Sequence, residues 1–384
     1  MNPIHHITTL RKQLHRHPEL SGAEYATAGV IAAFIEQHYP ARVLTALGET
    51  GLAAIYEFAE VGPSILIRCE LDALPINEQN DFEHRSSVPG VSHKCGHDGH
   101  MAIVAGLIFW IREQEFKSGQ IILLFQPAEE TGDGAPAVLD DPRFKDLKID
   151  YAFALHNIPG EPMHHVLLME RGFSAEVQSF SIQLRGKESH ASQPEQGVNP
   201  AGAVALLIEG LAALNVPHPM SDNFALLTPI HINMGQKSYG ISPANAVLHY
   251  TIRTWNGAQM YLLKESITKL ANRICHEQGL RSVMEWFEYF PASVNDSNCN
   301  QIIEEAARQQ GLTVKQFPTP FRFGEDFGWF SKYYPTAMFG LGAGEETPAL
   351  HHADYDFPDA LLPTGMQMFT GIISQILGET KDDN

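Results

Sequence analysis

The chain has 384 residues, 44% of them hydrophobic and 18% charged, with 31 glycines and 24 prolines; this is globular composition, long enough for two or three domains, and it excludes a largely disordered polymer. Its 26 Lys and Arg against 45 Asp and Glu leave a formal charge of −19, which repels nucleic-acid phosphates and anionic membranes, so neither is expected as a partner. The sequence has no uninterrupted 18-residue apolar run and no basic, then apolar leader, and Cys69, Cys95, Cys275 and Cys299 are scattered without CxxC spacing, so a cytoplasmic, reducing compartment is expected.

Taken in chain order, Val30, Ile31, Phe34 and Ile35 recur at helical spacing, and short apolar runs at 52–56 and 65–67 predict strands. Ile103, Leu107, Trp110 and Ile111 predict a helix, followed by strands over 121–125 and 151–155. This alternation predicts a parallel or mixed sheet faced by helices. The rhythm changes near residue 175. A strand over 177–184, a helix over 201–214, strands over 224–232 and 246–252, a helix over 260–274 and a strand over 282–289 give the β-α-β-β-α-β order of a ferredoxin-like unit. Because α/β character resumes at 300–308, the expected organisation is an α/β catalytic domain in two parts, 1–175 and 291–384, with a small domain inserted over 176–290. The tail, Lys381-Asp-Asp-Asn, reads as frayed.

The densest chemistry is His93-Lys-Cys95-Gly-His97-Asp98-Gly-His100: one thiol, three imidazoles and a carboxylate within eight residues. Thiolate and imidazole suit transition-metal dications, and Gly96 and Gly99 permit the tight turn that a ligand-presenting loop needs. Glu129 and Glu130 directly follow an apolar strand, so one can face metal and its neighbour substrate. His156 ends another strand, and His351-His352 lies near the C-terminus. Strand ends of an open α/β layer are where such sheets keep their active sites. A metal store would also use 19 histidines, but there is no His-rich tract, and adjacent glutamates serve no purpose in a store.

The runs Leu14-His-Arg-His-Pro-Glu-Leu-Ser21, Arg68-Cys-Glu-Leu-Asp72-Ala-Leu-Pro75, Cys95-Gly-His-Asp-Gly-His100, Gln126-Pro-Ala-Glu-Glu130, Leu155-His-Asn-Ile-Pro-Gly160, Gly186-Lys-Glu-Ser-His-Ala191, Gly324-Glu-Asp-Phe327 and Leu350-His351 resemble, in that order, the M20 metallopeptidase family. The similarity spans about residues 10 to 375 and points to the branch of N-acyl amino acid amidohydrolases, hippurate hydrolases and auxin-conjugate hydrolases. The fold implied is a mixed-sheet dinuclear-metal domain with an inserted ferredoxin-like lid or dimerisation domain.

That resemblance implies two divalent ions per subunit, Zn, Mn, Co or Ni, held by Cys95, His97, Glu130, His156 and His351, with Asp72 behind the ligands and Glu129 as general base. His351 is taken over His352 from the Leu-His pair, although Ala353 stands where the family usually has Pro. Glu70 stands where relatives place a ligand histidine, and His97 supplies the imidazole instead. Lys94 and Ser92 stand where the branch usually has Ala and Met, and Lys94 is expected to point out of the site. In the inserted domain the resemblance assigns His190 to the oxyanion, of its own or of a partner subunit's site, and Asn245 and Arg253 to the substrate's α-carboxylate. The implied substrate is a small N-acyl amino acid and the implied assembly a homodimer or higher oligomer through the inserted domain. An N-acyl-diaminopimelate deacylase and a small-peptide carboxypeptidase are the related alternatives.

Overall fold

A computed structural model describes residues 3–170 and 172–378; the tail from Lys381 lies outside the described residues. The chain opens with helices α1 (Pro3–Arg16) and α2 (Tyr25–His38) and strands β1 (Arg42–Leu47), β2 (Gly51–Glu57) and β3 (Glu60–Glu70). After a long loop come α3 (His97–Ile111), β4 (Ser118–Gln126), the short helices α4 (Gly134–Asp140) and α5 (Pro142–Lys145), β5 (Tyr151–Ile158) and β6 (Val166–Met169). Next are β7 (Glu176–Arg185), β8 (Ser189–His190), α6 (Ala201–Ala212), β9 (Ala225–Met234), β10 (Ile241–Ser242), β11 (Asn245–Thr254), α7 (Gly257–Glu277) and β12 (Arg281–Phe290). The chain then forms α8 (Ser297–Gln309), β13 (Val314–Phe317), β14 (Thr336–Gly342) and α9 (Leu361–Leu377). Among the described residues, no helix is long and apolar enough to cross a membrane.

The described residues divide into two units: 3–170, 172–173, 293–319 and 325–378 form the larger, and 174–292 and 320–324 the smaller. In the larger unit, eight strands among the described residues form one mixed sheet in the order β1-β2-β4-β3-β5-β14-β6-β13. Its centre, β4, β3, β5 and β14, is parallel, and its strands read as unbroken apolar runs because they are buried on both faces. Helix α3 shows the same logic: every residue from His97 to Phe109 is buried, and the helix packs on α1, α9 and β3. Each buried Ile or Leu there is worth about 1.5–3 kcal/mol, so the N-terminus of α3 is firmly held. The loop before α3 and the carboxyl ends of β3, β4 and β5 carry the candidate site.

The smaller unit has the antiparallel order β12-β7-β11-β9. Strand β11 alternates strictly, with Ala246, Leu248, Tyr250 and Ile252 packed against Leu207, Leu211, Ile267 and Ala271 of α6 and α7. Asn245, Val247, His249, Thr251 and Arg253 therefore share the opposite face.

Candidate metal centre and active site

Gly96 caps α3 with φ +97°, and a Cβ there would meet Asn157 Oδ1 at 2.5 Å, so a residue without a side chain is required. The turn sends Cys95 and His97 to one side. His97 Nδ1 donates to the main-chain oxygen of Asp72 at 2.9 Å, and His156 Nδ1 donates to the main-chain oxygen of Asn157 at 2.9 Å. A carbonyl accepts only, so each ring keeps Nε2 for another partner. The His156 Nε2 lies 3.5 Å from Cys95 Sγ. Cys95, His97 and His156 thus form one group able to hold an ion, and Cys95, Glu130 and His351 form a second. Cys95 belongs to both.

Glu129 and Glu130 follow β4 through Ala128, whose φ of +49° is uncommon for a residue with a side chain. Buried Glu24 holds this turn: its Oε1 accepts the Ala128 N–H at 2.8 Å and its Oε2 the Thr50 hydroxyl at 2.7 Å. The Glu130 N–H donates to Asp72 Oδ2 at 2.9 Å, which also accepts from Ser21 Oγ at 2.7 Å. His97 Nε2 lies 3.9 Å from both Glu129 Oε2 and Glu130 Oε1. His351 Nε2 is 3.6 Å from Glu130 Oε1; both His351 and its neighbour His352 are exposed.

The electrostatics call for cations. Burial, then the charges of Glu325, Glu130 and Asp326, pushes the Glu129 carboxyl well above its usual range. Burial, with Asp72 and Glu325 adding to it, pushes Glu130 up to about 7. Burial, then the charges of Glu130, Glu129 and Glu70, also raises the Cys95 thiol. His97 is carried up to about 10: burial opposes its charge, but Asp72, Glu70 and Glu130 outweigh that. Buried His97 Nε2 and Glu130 Oε1 have no hydrogen-bond partner among the described residues. Two unpartnered donor atoms facing one another across a carboxylate-rich pocket fit a bound dication, which would deprotonate the thiol and relieve the crowded acids.

Several residues without an assigned role in the sequence reading complete the site. Arg68 is fully buried and pairs with Glu70, with Glu325 at 2.9 Å and with Asp326 at 2.5 Å, and Glu70 reaches His100 Nδ1 at 2.6 Å. Glu70 is thus taken up by a buried ion-pair network. The acidic pair Glu325-Asp326 carried a motif but no role; its only sequence signal was that motif. Lys94 refines an expectation. Its ammonium does turn away from the proposed ligands, as expected, but it is buried and paired with Glu78 at 2.5 Å, where a solvated cation would be the ordinary outcome.

His190, Asn245 and Arg253 lie in the smaller unit. His190, in β8, is exposed and its Nδ1 lies 2.7 Å from Ser192 Oγ; β8 pairs with β10, shortly before Asn245 opens β11. Arg253 Nε donates to the main-chain oxygen of Arg322 at 2.8 Å. Asn245 and Arg253 stand eight residues apart on one strand, a separation of about 27 Å at about 3.4 Å per residue. One chain therefore cannot bring both to the same carboxylate.

Residues 66–375 match Peptidase family M20/M25/M40. The chain belongs to that family. It is 32% identical to an N-acetyl-L-cysteine deacetylase of Bacillus subtilis (strain 168) over 94% of this chain and 87% of the relative. It is 29% identical to an N-acetylcysteine deacetylase of the same strain over 98% of both chains. Among solved structures it is similar to the Bacillus subtilis YXEP protein, described as a dinuclear metal binding peptidase from the M20 family, with a TM-score of 0.83, 28% identity and 98% of both chains covered. A putative aminohydrolase from methicillin-resistant Staphylococcus aureus shares the fold, with a TM-score of 0.88, 23% identity and 97% of both chains covered. This M20 enzyme is a metal-dependent amidohydrolase, with a mixed α/β sheet and a separate antiparallel sheet.

Proposed function

We propose that this M20 enzyme hydrolyses the amide bond of small N-acyl amino acids, releasing a carboxylic acid and the free amino acid. The observation that carries the reading is the sharing of Cys95 between two donor groups with Glu129 alongside. The names of the two deacetylase relatives support an N-acetyl amino acid as the substrate class. Cys95, His97, Glu130, His156 and His351 would hold two divalent ions, Zn, Mn, Co or Ni, with Cys95 common to both donor groups and Asp72 fixing His97 and Glu130. Bound there, the ions supply polarisation of the amide carbonyl and acidification of a water molecule.

Glu129 takes a proton from the attacking water at its free carboxylate oxygen and returns it to the leaving nitrogen. Its buried, acid-crowded setting, which raises its proton affinity, suits that task. His190 hydrogen-bonds the developing oxyanion. Arg253 pairs with the substrate's α-carboxylate through its planar fork; Asn245, which opens the strand soon after the β8–β10 pair, acts together with His190. The strand separation of Asn245 and Arg253 favours a homodimer in which the two residues at one substrate come from different copies.

The test is a screen of N-acetyl amino acids including N-acetylcysteine, N-benzoyl and N-indoleacetyl amino acids, N-acyl-diaminopimelate and dipeptides, with protein reconstituted in each metal. Turnover of N-acyl amino acids above the other classes is expected. Preference for dipeptides or for N-acyl-diaminopimelate would move the reading to those alternatives.

A further inference from the structure

Lys94 takes no part in the chemistry described above, yet its side chain is wholly buried. Its main-chain oxygen accepts the N–H of His351 at 2.8 Å. Its Nζ donates to the main-chain oxygen of Tyr355 at 2.7 Å, to Glu78 Oε1 at 2.5 Å and to Asn80 Oδ1 at 2.8 Å. Two further bonds join the same segments: Asn80 Nδ2 donates to the Asp354 oxygen at 2.8 Å, and the Gln79 N–H to the Ala353 oxygen at 2.9 Å. The segment 351–355 is thus tied at both ends by one lysine and in between by Asn80, which Lys94 also holds, and by Gln79.

His351 needs such a tie. Its φ of +66° lies where residues with side chains rarely settle, and its side chain is 51% exposed, so packing alone does not hold it. The other donor group, Cys95, His97 and His156, is buried and is fixed by the carbonyl oxygens of Asp72 and Asn157. None of the hydrogen bonds made by the Lys94 side chain reaches that group.

We infer that Lys94 is a positioning residue for the ion held by Cys95, Glu130 and His351: its ammonium group ties down the segment that presents His351, and the affinity of that one ion depends on it. The inference rests on the two-ion reading above. The sign of the effect separates it from a bystander role. A buried cation close to a metal site repels ions, so removing a bystander would tighten binding; removing a positioning residue weakens it.

The experiment is Zn²⁺ titration of metal-free wild type and Lys94→Met under chelator competition, with circular dichroism to confirm folding. Glu78 keeps His15 at 2.9 Å and the Ser86 N–H at 2.6 Å, so the variant leaves no unpaired carboxylate. Wild type should take two equivalents, and Lys94→Met should bind one with unchanged affinity and the other at least tenfold more weakly. Unchanged, tightened or equally weakened binding of both ions overturns the inference. A single equivalent in wild type removes the two-ion reading itself and the inference with it. Should Lys94→Met not fold, the half-buried Asn80→Ala carries the test, with three- to tenfold weakening of the same ion expected and unchanged binding contradicting it.

Discussion

Asp72 steers His97 through its main chain: His97 Nδ1 is 2.9 Å from the Asp72 carbonyl oxygen but 3.5 Å from its carboxylate Oδ1. The Asp72 carboxylate holds instead the N–H of Glu130 and the hydroxyl of Ser21. Asp72→Ala should therefore weaken metal binding about 10- to 100-fold through a loosened Glu130. Asp72→Asn, which keeps an acceptor for the Glu130 N–H, should lose clearly less. Chelator competition reads both; equal losses would make the carboxylate charge, and not its hold on Glu130, the operative feature.

Behind the ligand loop, His15 bridges Asp98 and Glu78 at 2.9 Å each. Burial opposes charge on its ring, but those partners carry its pKa from 6.5 up to about 9. A raised folded-state pKa gives stability that is fully present below pH 6.5 and lost as pH rises through 9; the rise is worth about 3 kcal/mol. In urea unfolding of metal-free protein, the gap between wild type and His15→Gln should be largest near pH 6 and shrink by pH 9.5. A gap independent of pH would mean that the imidazolium contributes nothing through its charge.

The candidate donor residues Cys95, His97, Glu129, Glu130 and His156 drew notice in the sequence because they fall at strand ends and glycine turns, where open α/β sheets keep their active sites; their roles came only from the family resemblance. The split order of the smaller unit was legible from the changed periodicity after residue 175. Lys94 was not, because its partners Glu78 and Tyr355 lie 16 and 261 residues away and burial of a lysine depends on such distant groups. The role of α1 was hidden in the same way: Arg11 reaches Asp98 across 87 residues, and nothing local in a helix rich in His and Thr marks that ion pair. The conflict between Asn245 and Arg253 was already present in their spacing, but it became visible only once both lay on one continuous strand.

Cys95 should behave as a thiolate that its ions protect. Peroxide should oxidise it to sulfinic or sulfonic acid far faster in metal-free than in metal-loaded protein, and the treated metal-free form should not regain activity with Zn²⁺, Mn²⁺, Co²⁺ or Ni²⁺. Cys95→Asp should keep some activity, since a carboxylate can also bridge two ions, and Cys95→Ala should keep almost none. Mass spectrometry and reconstitution assays decide; full activity in Cys95→Ala would remove this thiol from the site.

Glu129→Gln tests the central assignment most directly, because it removes the base while leaving the ligand set in place. With the metal content and kcat of purified, reconstituted protein measured side by side, the variant should retain the ions of wild type and turn over at least 100-fold more slowly on an N-acyl amino acid. Loss of an ion from Glu129→Gln would make Glu129 a ligand and exchange the roles of the two glutamates, and undiminished kcat with full metal content would contradict the mechanism outright.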